Sequence, residues 1–320
     1  MFKPSSNLVV VIRSVDERTT SACKELVFRQ VSQQQVHLVR EFPFEAALRR
    51  CYEIGIESGA TWMMTLDADV LLREGAIQDF LTQAEALPEE YFQLEGLLHD
   101  KLAGQYRKVG HRMYRTQYLQ KALDSIPAPR EAIRPERTTL RRMEQLGYPS
   151  KEIKVVFGIH DYEQFYADIY RKAFVHAKKH PDRFRDFIER WSRQMAGDPD
   201  FKVALKGLCD GLTFNHSVAI DKREFKHKSE AALEDLGLIE KEKIIEIKQC
   251  IPLIRSKLID LCPQSHQPIS GDDIQKTEKT QKLRHIYCQL GLGKTFLYLT
   301  GAGIIRMGNL LKDYASRNHR

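Results

Sequence analysis

The chain has 320 residues, 42% of them apolar, and a net charge of +7. That is enough sequence to bury a substantial core in one large domain with additions. Its six cysteines (Cys23, Cys51, Cys209, Cys250, Cys262, Cys288) are scattered with no Cys-x-x-Cys pair, which argues against a disulfide framework or a cysteine zinc site and fits a reduced, cytoplasmic protein.

Leu8-Val9-Val10-Val11-Ile12 reads as a buried first strand, too short an apolar run for a secretion signal. A helix over 19–30, a Gln-rich turn at 33–35 and a short strand over 36–39 follow. Phe44, Ala47, Leu48, Cys51 and Ile54 then recur at helical spacing until Gly59 stops the helix. The next strand, Trp62-Met63-Met64-Thr65-Leu66, runs into Asp67-Ala68-Asp69, and a helix over 74–87 ends at Pro88. This alternation of strands and helices predicts an α/β fold with a doubly wound, mostly parallel sheet.

Tyr91 to Leu98 makes another strand, ending in His99-Asp100-Lys101. Residues 104–118 are basic and aromatic and read as a hairpin. Its Lys108, Arg112 and Arg115, interleaved with Tyr106 and Tyr114, could neutralise a diphosphate, although an ordinary exposed hairpin is the plainer reading. Helix 136–146 and a last short strand, Ile153–Phe157, lead to Gly158-Ile159-His160-Asp161.

Beyond that point the pattern turns helical. Phe165, Ile169, Ala173, Phe174 and Ala177 mark one amphipathic helix, and Phe184, Phe187, Ile188 and Trp191 a second. Asp198-Pro199 caps a third, and residues 229–260 read as charged helix. Residues 263–282 have linker composition. Residues 281–320 hold seven Lys/Arg against Asp313 alone, six of the seven excess charges. In that tail, Gly291-Leu292-Gly293-Lys294-Thr295 lacks the first glycine of a P-loop, that position being Cys288. The eleven residues from Thr295 to Ile305 are too few to span a bilayer. They could form an interfacial helix touching a membrane, or pack on the protein's own core or a second copy.

The chemistry concentrates at Asp67 and Asp69. Period-two alternation lets both carboxylates face one side, and hard divalent ions take such oxygen ligands while bridging to phosphates. Ligands of open α/β sheets gather at the carboxyl edge of the strands, where this pair sits. A solvated turn would use the same residues. At the end of the first strand, Arg13 or Arg18 could pair with phosphate or nucleobase, and Asp16 or Glu17 with ribose or base edge, with Ser14 in the same loop. A charged turn capping the next helix is the equal alternative. His160 could ligate a metal, and Asp161, Glu163, Asp100 or Asp168 could serve as a base.

The strand Leu8–Ile12, the strand Trp62–Leu66 with Asp67-Ala68-Asp69, and His160-Asp161 together resemble a divergent, family 2-like glycosyltransferase of the GT-A fold, over roughly the first half of the chain. The resemblance implies a Rossmann-like GT-A domain with a mixed, mostly parallel sheet, followed by a helical C-terminal region. The first strand's end (Arg13, Ser14, Glu17, Arg18) would cradle the nucleotide. Asp67 and Asp69 would hold Mn2+ or Mg2+ on the sugar-nucleotide diphosphate, with His160 completing the site and Asp161, Glu163 or Asp100 as base. The acidic Asp-Gly-Ser-like stretch usual after the second strand is replaced by Arg40-Glu41-Phe42-Pro43.

The expected organisation is therefore a catalytic domain over 1–160, a helical acceptor-side region over 161–262, a linker over 263–282 and a basic amphipathic helix over 283–320. The expected function is transfer of a sugar from a nucleotide-sugar donor to a glycan, lipid-linked or other hydroxyl acceptor. The setting would be the cytoplasm or the membrane's inner face, with oligomers open and no nucleic acid expected. Two alternatives stand beside it. One is a sugar nucleotidyltransferase, whose usual Gly-rich loop is missing from Arg13–Thr19; the other is a non-enzymatic adaptor or nucleic-acid-binding protein using the basic tail.

Overall fold

The computed structural model describes residues 7–258, apart from 133, 180–182, 217, 219–221 and 245–246. The linker and the basic helix expected over 263–320 lie outside the described residues. Strand β1 (Leu8–Arg13) is buried along its whole length. Its odd and even positions feed two separate cores. Leu8, Val10 and Ile12 pack with Cys23 and Val27 of helix α1 (Thr20–Phe28) and with Ile77, Phe80 and Leu81 of α3 (Ala76–Glu85). Val9 and Val11 pack on the opposite face with Leu48, Cys51 and Tyr52 of α2 (Phe44–Glu57), Leu119 of α4 (Leu119–Asp124) and Met143 of α5 (Pro135–Gln145). Apolar residues on both sides of a strand require helices on both sides of the sheet, and that is the three-layer arrangement observed.

The sheet contains β2 (Val36–Val39), β1, β3 (Trp62–Asp67), β7 (His111–Arg115), β5 (Gln93–Asp100), β8 (Ser150–His160) and β4 (Val70–Leu72), in that spatial order, with β6 (Gln105–Arg107) paired to β5. It is mixed and Rossmann-like. The parallel pairs β1–β2, β1–β3 and β5–β8 include the two longest ladders, and β7 enters antiparallel to both β3 and β5.

That insertion corrects the expected hairpin over 104–118. Strands β6 and β7 both pair with β5 rather than with each other. Met113 and Tyr114 are buried on opposite faces, so β7 belongs inside the sheet and not on an exposed ribbon. Arg112 is accordingly inside as well, bound to Glu95 and Glu136. The last strand is also longer than expected, running from Ser150 to His160, its final residue.

Helices α6 (Tyr166–Lys179), α7 (Phe184–Gln194), α8 (Pro199–Thr213) and α9 (Lys226–Leu236) form their own core around Ile169, Tyr170, Phe174, Trp191 and Leu208. Asp198 caps α8 as its sequence predicts, accepting from the Asp200 N–H. Gly207 lets α8 approach α6 closely, since a Cβ there would stand 2.4 Å from the Tyr170 carbonyl oxygen. The continuous helix expected over 229–260 is instead broken at Gly237, which takes a left-handed φ of 63°. The chain then returns to the sheet, where Ile244, Ile247 and α10 (Cys250–Leu258) pack against Leu26, Leu71, Val156 and Ile159. Among the described residues, no helix is long and apolar enough to cross a membrane.

Candidate active site

Strand register does most of the assembly. Arg13 stands beside Asp67 on β1 and β3, Asp100 beside His160 on β5 and β8, and Val70 beside His160 on β4 and β8. Asp69 lies in the short turn between β3 and β4, so it is carried to the end of β8. The turn is pinned from both sides: Ala68 N–H donates to the Arg13 carbonyl, and Thr19 Oγ1 donates to the Ala68 carbonyl at 2.8 Å.

The two aspartates of Asp67-Ala68-Asp69 have different partners. Arg13 donates through Nε to Asp67 Oδ1 at 2.8 Å, and its other arm reaches Glu136 at 2.9 Å. Burial pushes the Asp67 carboxyl up, with Arg13 opposing and Asp69 reinforcing that rise. Asp69 instead faces Lys172 of α6, whose Nζ lies 2.5 Å from Oδ2, and His160, whose Nε2 lies 3.5 Å from Oδ1. Burial works against ionising Asp69, but Lys172 and His160 outweigh it and hold the carboxyl well below the usual range.

Asp161 completes the group. Lys172 Nζ also donates to Asp161 Oδ1, and His160 Nδ1 lies 3.3 Å from Asp161 Oδ2. The backbone of Asp161 has φ 63°, an uncommon conformation for a residue with a side chain, which turns the chain sharply from β8 toward α6. Asp69, His160 and Asp161 each offer a ligand atom, all within 4.8 Å of one another, and all three residues are buried. Burial alone would lower the His160 pKa; Asp161, Asp69 and Asp100 around it raise it well above the ordinary histidine value instead.

Of the other expected residues, Asp100 is fully buried behind His160, 3.2 Å from its Nδ1 and 3.0 Å from Arg107. Burial opposes its ionisation, and His160 and Arg107 override it. Glu163 and Arg18 bind each other to one side. Ser14 Oγ donates to Glu17 Oε2 at 2.8 Å, and burial together with the charge of Asp69 pushes the Glu17 carboxyl up to about 7.

Several residues of this site had no separate signal in the sequence. Lys172 follows Ile169 by three positions, on the border of the apolar stripe of its helix, where a wheel projection could have flagged it. Glu136, held to about 2 because Arg112 and Arg13 outweigh its burial, resembles any acid in a first helical turn. Gly110, with φ 69°, approaches the group so closely that a Cβ would meet Val70 Cγ2 at 2.7 Å.

The sequence matches no known protein family and no curated protein. Among solved structures, it is similar to a mannosyltransferase from Pyrobaculum calidifontis in complex with GDP-Man and Mn2+ (11% identity, 82% of this chain and 84% of that one, TM-score 0.37). It is also similar to a glycosyltransferase involved in glycosylation of the major capsid of PBCV-1 (15% identity, 46% and 82%, TM-score 0.35). A third is a CMP:2-keto-3-deoxy-manno-octonic acid synthetase complexed with CTP (13% identity, 48% and 92%, TM-score 0.34). At such identities and TM-scores, the chemistry has to be read from the site itself.

Proposed function

We propose that this protein is a nucleotide-sugar-dependent glycosyltransferase that holds a divalent cation, Mn2+ or Mg2+, at Asp69, His160 and Asp161. The observation that carries this reading is the convergence of those three buried side chains at the rim of the sheet, beside the carboxyl ends of β1 and β3. The donor set fits: two carboxylates, and the His160 imidazole once the ion has displaced its proton, suit these ions, and among the described residues buried Asp69 Oδ1 has no hydrogen-bond partner. When bound, the cation would offset charge building on a departing diphosphate.

The chain's own residues divide the remaining work. Asp67, fixed by Arg13, adds negative charge next to the ligands without being free to swing away. Asp100 orients the His160 ring through Nδ1, as carboxylate partners of metal-binding histidines do, leaving Nε2 toward Asp69. Asp161, turned inward toward Asp69, is proposed as a ligand in place of the base role its sequence position suggested. Ser14 and Glu17, at the end of β1, are proposed on the nucleotide side, where a carboxyl titrating near 7 can both accept and donate a hydrogen bond to a ribose or base edge. The helices beyond 161 are proposed as the acceptor side.

The test is transfer or donor hydrolysis with a panel of nucleotide sugars and Mn2+. Asp69→Ala is expected to lower turnover at least a hundredfold while Glu85→Ala, on the outer helix α3, leaves it unchanged. Full activity in Asp69→Ala would remove the metal role. The nucleotidyltransferase alternative predicts release of pyrophosphate from a nucleoside triphosphate and a sugar phosphate, which the same panel can include.

A further inference from the structure

The position between Asp69 and Asp161 already holds a positive charge. Lys172 reaches back from α6, across the turn that carries Asp161, and its ammonium binds one oxygen of each carboxylate. The lysine side chain is 16% exposed, and those of Asp69 and Asp161 are 9% and 5% exposed, so water screens these contacts weakly. The remaining oxygens approach different nitrogens of His160, Asp69 Oδ1 at 3.5 Å from Nε2 and Asp161 Oδ2 at 3.3 Å from Nδ1. Two carboxylates can thus be balanced either by the protein's own ammonium or by an incoming ion. Holding both at full occupancy would bring like charges together in a weakly hydrated space.

Resting on the metal site proposed above, we propose that Lys172 is a resident counter-cation that competes with the divalent ion for Asp69 and Asp161. The anion that draws it away is a nucleoside diphosphate, the one part of a donor that offers an ammonium equivalent negative charge. Metal and donor then favour each other's binding: the ion is held weakly until the diphosphate engages Lys172, and the diphosphate is held weakly until the ion displaces Lys172 toward it. Linkage makes the two effects equal in size.

The experiment measures Mn2+ binding by electron paramagnetic resonance, without nucleotide, in wild-type protein, Lys172→Met, Lys172→Gln and Lys172→Arg. Removing the ammonium is expected to tighten Mn2+ binding at least tenfold in the Met and Gln variants, and to give each an Mn2+-dependent rise in melting temperature larger than that of the wild type. Lys172→Arg keeps the charge and is expected to bind no tighter than wild type. Adding Asp69→Asn to Lys172→Gln should abolish the gain, placing the ion at this site.

If all four proteins bind Mn2+ with equal affinity, the competition is overturned while the metal reading stands. If none binds at millimolar Mn2+, both are overturned. Should Lys172→Met fail to fold without metal, its refolding on addition of Mn2+ supports the proposal. Failure to refold, with Lys172→Gln folded and binding no better than wild type, overturns it.

Discussion

Glu17 shows how a single carboxyl reports on its surroundings. Its pKa is raised to about 7 by burial and by Asp69, against the lowering effect of the Ser14 hydrogen bond. A group whose folded pKa is raised contributes stability at low pH and loses it as pH climbs from its unfolded value, about 4.5, through about 7. Glu17→Gln keeps the hydrogen-bonding shape without the charge, so its melting temperature is expected to exceed that of the wild type at pH 8 and to converge with it near pH 5. Parallel melting curves at both pH values would contradict this. At this scale the sequence was partly legible. Two carboxylates after an apolar run marked Asp67 and Asp69, and strand-end position marked His160. Lys172 lies 103 residues from Asp69, and only the folded packing of α6 brings the two together.

Among the elements, β7 carries the clearest lesson. Its basic and aromatic residues suit an exposed ribbon equally well; what makes it central is that it pairs antiparallel with β3 along one edge and with the start of β5 along the other. Local pattern specifies that a strand exists, whereas its place in the sheet depends on pairings far along the chain. Arg112 therefore became a buried partner of Glu136 and Glu95, not a surface cation. The entry to β7 is tightly specified. Gly110 has φ 69°, and its carbonyl accepts the Asp67 N–H at 2.7 Å. Gly110→Ala would impose a side chain on a left-handed residue and press it into Val70, for a loss of about 1–3 kcal/mol in chemical denaturation. Because Val70 pairs with His160, the proposed metal site predicts that the same change weakens Mn2+ binding. An unchanged denaturation midpoint would show that the turn can relax.

Over the whole molecule, the helical region does not stand apart from the sheet. After Gly237 the chain comes back across the α1 and β8 side, and Ile244, Cys250 and Ile254 complete a core begun by Ala22, Leu71 and Ile159. Ile254→Ala is therefore expected to destabilise the entire fold by about 2–5 kcal/mol in one cooperative transition. Ile239→Ala, on a side chain 91% exposed, should change it by no more than about 0.5 kcal/mol. A separate early transition for Ile254→Ala would make the returning segment an independent unit. The sequence foretold the alternation of the first half and the helices of the second, because each has its own period; it did not foretell this return, which depends on a break at one glycine. The returning segment also closes the amino end of α6, where both oxygens of Glu240 accept the Tyr166 and Ala167 N–H groups, at 2.7 and 2.9 Å. The positive pole of that helix is thereby plugged from within, which leaves the side-chain charge of Lys172, rather than the helix start, as the feature of α6 able to attract an anion.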